Sequence, residues 1–147
     1  MGFKDTSKNL LSLAETLYRW AGALAGLDGV RREKVAAYAI SIADTLDRAA
    51  DALTRLDANP ADQQARRQAQ RDFGRMTGYV ETIVTVLKHH LDGRKLAGVK
   101  RRLEHVQRGA EVPTATSLTS PNAIKVHVGH LIAAEGYFRA LADSLRA

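Results

Sequence analysis

The most chemistry this sequence offers lies near its C-terminus, in His127 and Glu135. A helical projection puts both, two turns apart, on the apolar stripe of Ile124, Val128, Leu131, Phe138 and Ala142. A buried carboxylate must find a cation or a proton, and a buried imidazole must satisfy two ring nitrogens. Two arrangements meet those demands. One is a structural ion pair or hydrogen-bond network that reaches Arg31, Arg66 or Arg102 on the stripe margins. The other is a bundle-core site in which Glu135 and His127 bind a metal or handle a proton.

The spacing of the other candidate ligands argues against the metal. A carboxylate-bridged centre needs Glu-x-x-His on each of two helices, and no Glu-x-x-His occurs. His127-Val128-Gly129-His130 has three-residue spacing, but His130 points about 100° away from Leu131 at the stripe centre. His89 and His90 are adjacent, so only one can face inward, and His90 is better placed. Nucleophilic chemistry fares no better. Cysteine is absent, and the hydroxyls of Thr114, Thr116, Ser117 and Thr119 have no identifiable partner base. Nothing resembles a glycine-rich phosphate cradle following a strand. The reading is a non-enzymatic protein with a buried polar pair, His127 and Glu135, and no metal or cofactor.

Charge supplies the second candidate site. Residues 66–108 hold eleven basic and four acidic residues, a net +7, while the rest of the chain carries −1. Segregation of this kind points to an anionic contact, since scattered charge would serve solubility equally well. Arg94, Lys95, Lys100, Arg101, Arg102 and Arg108 lie on a short predicted helix with a narrow apolar edge outlined by Leu96, Val99, Leu103 and Val106. Such a helix can lie along phosphates or anionic headgroups while its other side stays on the protein, or it can simply be a solvated face. It has no aromatic residue, which disfavours membrane insertion and base stacking and leaves contacts to a nucleic-acid backbone or an acidic surface. A helix-turn-helix around Leu91-Asp92-Gly93-Arg94 is disfavoured, because Lys88 and His89 fall where the first helix should be apolar.

The elements that position these residues are all helical. Apolar residues recur every three or four positions, β-branched alternation is nearly missing, and proline stands only at 60, 113 and 121. A first helix is expected from Asp5 to Gly26 on the stripe Leu10, Leu13, Leu17, Trp20, Ala21 and Leu24. A second, N-capped by Asp28, carries Val35, Tyr38, Ala39, Ile42, Leu46, Ala49, Leu53 and Leu56 to about Asp57. A third opens at Asn59-Pro60, with Asn as cap and Pro at the first helical position, and presents Ala69, Phe73, Met76, Val80, Ile83, Leu87 and Leu91. The short basic helix ends near Gly109, residues 110–120 form a loop, and Ser120-Pro121 opens a last helix to Leu145.

Short connections at 27–29, 58–60 and 92–93 favour antiparallel neighbours. The expected fold is all-α: one domain over 1–147, an antiparallel up-down bundle of four long helices plus one short basic helix. At 147 residues and 45% hydrophobic content the chain can bury one core. The polar start and the lack of a membrane-length apolar run lead to an expectation of a cytoplasmic protein without a transmembrane segment. Abundant alanine and an excess of arginine over lysine resemble a bacterial, high-GC composition.

Leu11, Tyr18 and Ile40 lie off the main stripes, where they either meet a second packing neighbour or form a self-association face. The functional expectation is a protein-interaction module that binds a partner protein or itself, a homodimer being plausible. The alternative is electrostatic binding of nucleic acid or an anionic surface through residues 94–108.

Overall fold

The computed structural model describes residues 3–87, 97, 98, 101 and 123–147. Among them all regular structure is helical, in five helices: α1 (Phe3–Arg19), α2 (Ala21–Leu24), α3 (Gly29–Ala58), α4 (Gln63–Leu87) and α5 (Ala123–Arg146). The loop 110–120, the opening of the last helix at Ser120-Pro121 and most of the expected short basic helix lie outside the described residues.

The first expected helix is two helices. At Trp20 (φ −90°, ψ 6°) the backbone leaves helical geometry, and its N–H donates to the Leu17 carbonyl at 3.1 Å, a tightened turn. One turn earlier the Thr16 hydroxyl donates to the Ser12 carbonyl at 2.8 Å, a back-bond that bends helices. Beyond the break, Leu24 and Leu27 are both buried in the core.

Asp28 caps α3 as its sequence position indicates. Its carboxylate accepts from the Arg31 N–H at 2.9 Å, occupying one of the amides the first turn leaves unpaired. The 30-residue α3 is about 45 Å long and buries twelve residues, six of them alanine, over a broad arc. That breadth has a cause: α3 packs against α4 on one side and α5 on the other, and small side chains let both approach.

Pro60 does not open α4. The Asp62 N–H donates to the Asn59 carbonyl at 3.0 Å, so residues 59–62 form a β-turn with Pro60 at the position whose φ it fixes. The cap is Asp62, whose carboxylate accepts from the Ala65 N–H at 2.9 Å, and α4 starts at Gln63. Asn59 instead ends α3, and its side-chain oxygen accepts from the Ala61 N–H at 3.2 Å. Once under way, α4 buries Ala69, Phe73, Met76, Val80, Ile83 and Leu87 on the expected face.

The order of packing departs from the order of the chain. Among the described residues α1 lies against α5, α5 against α3, and α3 against α4. The N-terminal helix therefore has the C-terminal helix, rather than α3, as its principal neighbour, despite the short connection between α2 and α3. A single cluster of buried side chains joins all five helices, with Phe73 and Phe138 its largest members. Leu11 and Ile40 pack against that cluster from its margin, and Tyr18 meets Tyr137 of α5 with ring centroids 5.6 Å apart.

Candidate functional site

The α1–α5 contact brings together a polar trio. Ser7, in the second turn of α1, is fully buried, and its Oγ lies 2.9 Å from Nδ1 of His127 and 2.9 Å from Nδ1 of His130. A hydroxyl has one proton to give, so Ser7 can donate to at most one Nδ1 and accepts an N–H from the other ring. Their centroids are 6.5 Å apart, as i, i+3 neighbours on one helix edge. Ser7 and His127 stand at the separation of a nucleophile and its base, but the hydroxyl is sealed from solvent and shared by two rings. The arrangement is an interhelical tie.

His127 is buried, at 4% exposure, and Glu135 is half-buried with its side chain 19% exposed; the two do not bond to each other. Glu135 accepts from Nε of Arg139 at 2.8 Å, one turn along α5, and the same guanidinium reaches Asp44 of α3 at 3.0 Å. The hydrogen bond to Glu135 is the largest of the effects that hold the Arg139 guanidinium above its ordinary pKa. A second bridge joins the same two helices, with Arg146 donating to Glu33 at 2.6 Å and drawing that carboxyl below its ordinary range. None of the arginines expected near Glu135 is its partner: Arg31 bonds its cap Asp28, Arg66 donates to the Pro60 carbonyl, and Arg102 lies outside the described residues.

Of the basic residues, Arg101 is exposed, whereas Arg94, Lys95, Lys100, Arg102 and Arg108 lie outside the described residues. Along α4, Arg67, Arg71 and Arg75 are exposed and Arg66 is half-buried. His89 and His90 also fall outside, and among the described residues no group of three or more His, Cys, Asp or Glu could hold a metal. No helix there is long and apolar enough to cross a membrane.

One charged residue in the α3–α4 interface escaped the reading of the sequence. Asp72 is fully buried; its two carboxylate oxygens accept from the Gln68 amide at 3.0 and 2.9 Å, and Arg48 of α3 approaches to 3.7 Å. Arg48 also donates to Thr45, which is itself buried. The signal was available, because Asp72 stands three residues after Ala69 and four before Met76, on the core stripe itself. Beside it an open cleft of about 470 Å³ is lined by Arg48, Asp51, Thr54, Arg55 and Gln68. Its lining holds two arginines and one aspartate, and Arg48 is already turned to Asp72 and Thr45.

The fourth feature is a scarcity of charge. On α5, Lys125, Val126, Gly129, Ile132, Ala133, Gly136 and Asp143 are exposed, and the ionised side chains between Lys125 and Asp143 are Glu135, 19% exposed, and Arg139, 39% exposed at the edge of this face. Glu135 and Arg139 are turned toward α3 and His130 toward α1. Val126 is 48% and Ile132 55% exposed; Val30 of α3 is more exposed, at 81%, but among the described residues α5 alone carries two exposed large apolar side chains. No protein-family model, no curated protein and no solved structure matches the chain.

Proposed function

We propose that this chain is a non-enzymatic protein-interaction module that acts by self-association through the outer face of α5. The observation that carries the reading is the strip between Lys125 and Asp143, bordered by the ion-paired Arg139, with Val126 and Ile132 left in water in a chain of which 26% is charged. The polar groups nearest the strip, Ser7 with His127 and His130 and Glu135 with Arg139 and Asp44, are engaged in holding helices together. Its architecture is proposed as a single antiparallel up-down bundle of four long helices, with a short basic helix over residues 94–109 beside it. Sedimentation velocity of the full chain across a concentration series tests the reading: a reversible shift from monomer to dimer supports it, and a strict monomer at the highest concentration removes it.

A second reading rests on the exposed arginines Arg67, Arg71 and Arg75 of α4 together with the basic residues that the sequence gathers over 94–108. It is electrostatic binding to nucleic acid or an anionic surface through residues 94–108. Retention on a DNA duplex should then fall steeply with salt and disappear when Lys100, Arg101 and Arg102 are replaced by glutamate. Undiminished retention after that replacement eliminates it.

A further inference from the structure

The exposed face of α5 is built to meet itself in one register. Lys125 and Asp143 are eighteen residues apart, five full turns, so they share one line along the helix about 27 Å from end to end. They have opposite sign, and neither forms an ion pair within the chain among the described residues, whereas Arg139 at the edge of the strip is paired with Glu135 and Asp44. Asp143 does feel the charge of Arg146, but that guanidinium is hydrogen-bonded to Glu33. The midpoint of the line lies between Ile132 and Gly136, level with residue 134, whose own side chain is buried on the opposite side of the helix. A two-fold axis there sets Lys125 of each copy opposite Asp143 of the other, whereas parallel helices would set like charges together.

The same axis makes a second pairing that owes nothing to charge. It places Ile132, the most exposed large side chain of α5, opposite Gly136 of the other copy, twice. A Cβ added to Gly136 would meet nothing within 4 Å, so no neighbour inside the chain requires a glycine there. Mid-helix glycine costs about 1 kcal/mol relative to alanine. Seated against the Ile132 of a second copy, the gap it leaves becomes a hole for a knob. Ends and centre thus select one register independently.

We propose that the occupant of this face is a second copy of this chain, docked antiparallel α5 to α5 about the point midway between Ile132 and Gly136, with Ile132 seated over Gly136 and Lys125 paired with Asp143 at both ends. The inference rests on the self-association reading and specifies its geometry. A contact along one helix is at the small end of specific interfaces, so its dissociation constant should be on the order of 10 µM.

Sedimentation velocity of the full chain over roughly 1–500 µM tests it. Wild type should dimerise reversibly, and Ile132→Glu should raise the dissociation constant about a hundredfold by placing two carboxylates at the centre. Lys125→Asp alone and Asp143→Lys alone should each weaken dimerisation about tenfold, because both end pairs become like-charged. An equimolar mixture of those two variants should recover wild-type affinity as a heterodimer, since every end pair is again opposite in sign. All three positions are exposed, and unchanged helicity and unfolding midpoint confirm that each variant folds. A strictly monomeric wild type overturns this interface together with the self-association reading. Dimers indifferent to Ile132→Glu overturn the interface and leave that reading standing. Failure of the mixture to recover overturns the antiparallel register.

Discussion

Ser7 and His127 are separated by 120 positions in the chain, yet the Ser7 Oγ stands 2.9 Å from the His127 Nδ1 with the hydroxyl fully buried. That bond, with its twin to His130, ties the first helix to the last. Within α1 Ser7 fills a core position otherwise held by Leu10, Leu13 and Leu17, where a hydroxyl needs hydrogen-bond partners, and two imidazoles face it.

Ser7→Ala should therefore cost more than a methyl-sized change implies. It strips a partner from both Nδ1 atoms and should destabilise the protein by about 1–3 kcal/mol, a fall in Tm of roughly 2–10 °C for a domain of this size. Thermal unfolding followed by circular dichroism checks this, and a shift under 1 °C would show that the trio contributes nothing.

Gln68 is the main support of the buried Asp72 carboxylate, because Arg48 is farther away and 46% exposed. Gln68→Leu should lower stability by about 1–3 kcal/mol, and Arg48→Ala by less. Gln68→Glu should be worse than Gln68→Leu at neutral pH, where two carboxylates would confront each other. It should recover in acid, as one of the pair takes up a proton. Urea unfolding at pH 7 and pH 4 separates these outcomes.

Two exposed glycines of α4 interrupt good helix formers without structural need, since a Cβ at Gly74 or Gly78 meets nothing within 4 Å. Gly74→Ala and Gly78→Ala should each stabilise the protein by about 0.5–1 kcal/mol. Gly26→Ala should not, because its Cβ would come 3.3 Å from the Ala23 carbonyl oxygen. The midpoint of urea denaturation should rise for the first two variants alone.

The Glu33–Arg146 bridge sets an acid limb on stability. The carboxyl is drawn below its ordinary value of 4.5, chiefly by the hydrogen bond from Arg146. A folded pKa below the unfolded one means that the contribution is present above pH 4.5 and fades as pH falls through the lower folded value. Wild type should be slightly more stable than Glu33→Gln at pH 7, with the difference closing toward pH 3 and on adding salt, as expected of an exposed pair. A difference that persists at low pH would trace the effect to packing.

Local signals were read where local forces decide. The core stripe of α4 from Ala69 to Leu87 and the Asp28 cap follow from helical period and from the unpaired amides of a first turn, and both appear where the sequence places them. Pro60 shows the limit of such signals: a proline after asparagine suits a helix start and a β-turn equally, and the following Asp62 took the cap. Asp72 was legible from its place between Ala69 and Met76, but nothing local says that a stripe position will hold a buried carboxylate.

Taken alone, the order of residues determined that this chain is helical, which faces of α3, α4 and α5 turn inward, and that His127 and Glu135 stand two turns apart on the last helix. Only the tertiary structure decided which helices meet. It set α5 between α1 and α3, gave His127 to Ser7 and Glu135 to Arg139 and Asp44, and left the strip from Lys125 to Asp143 in solvent. Helical period and capping are set within a few residues by backbone geometry. The choice of neighbours is settled by the fit of whole surfaces, among arrangements that bury similar apolar area.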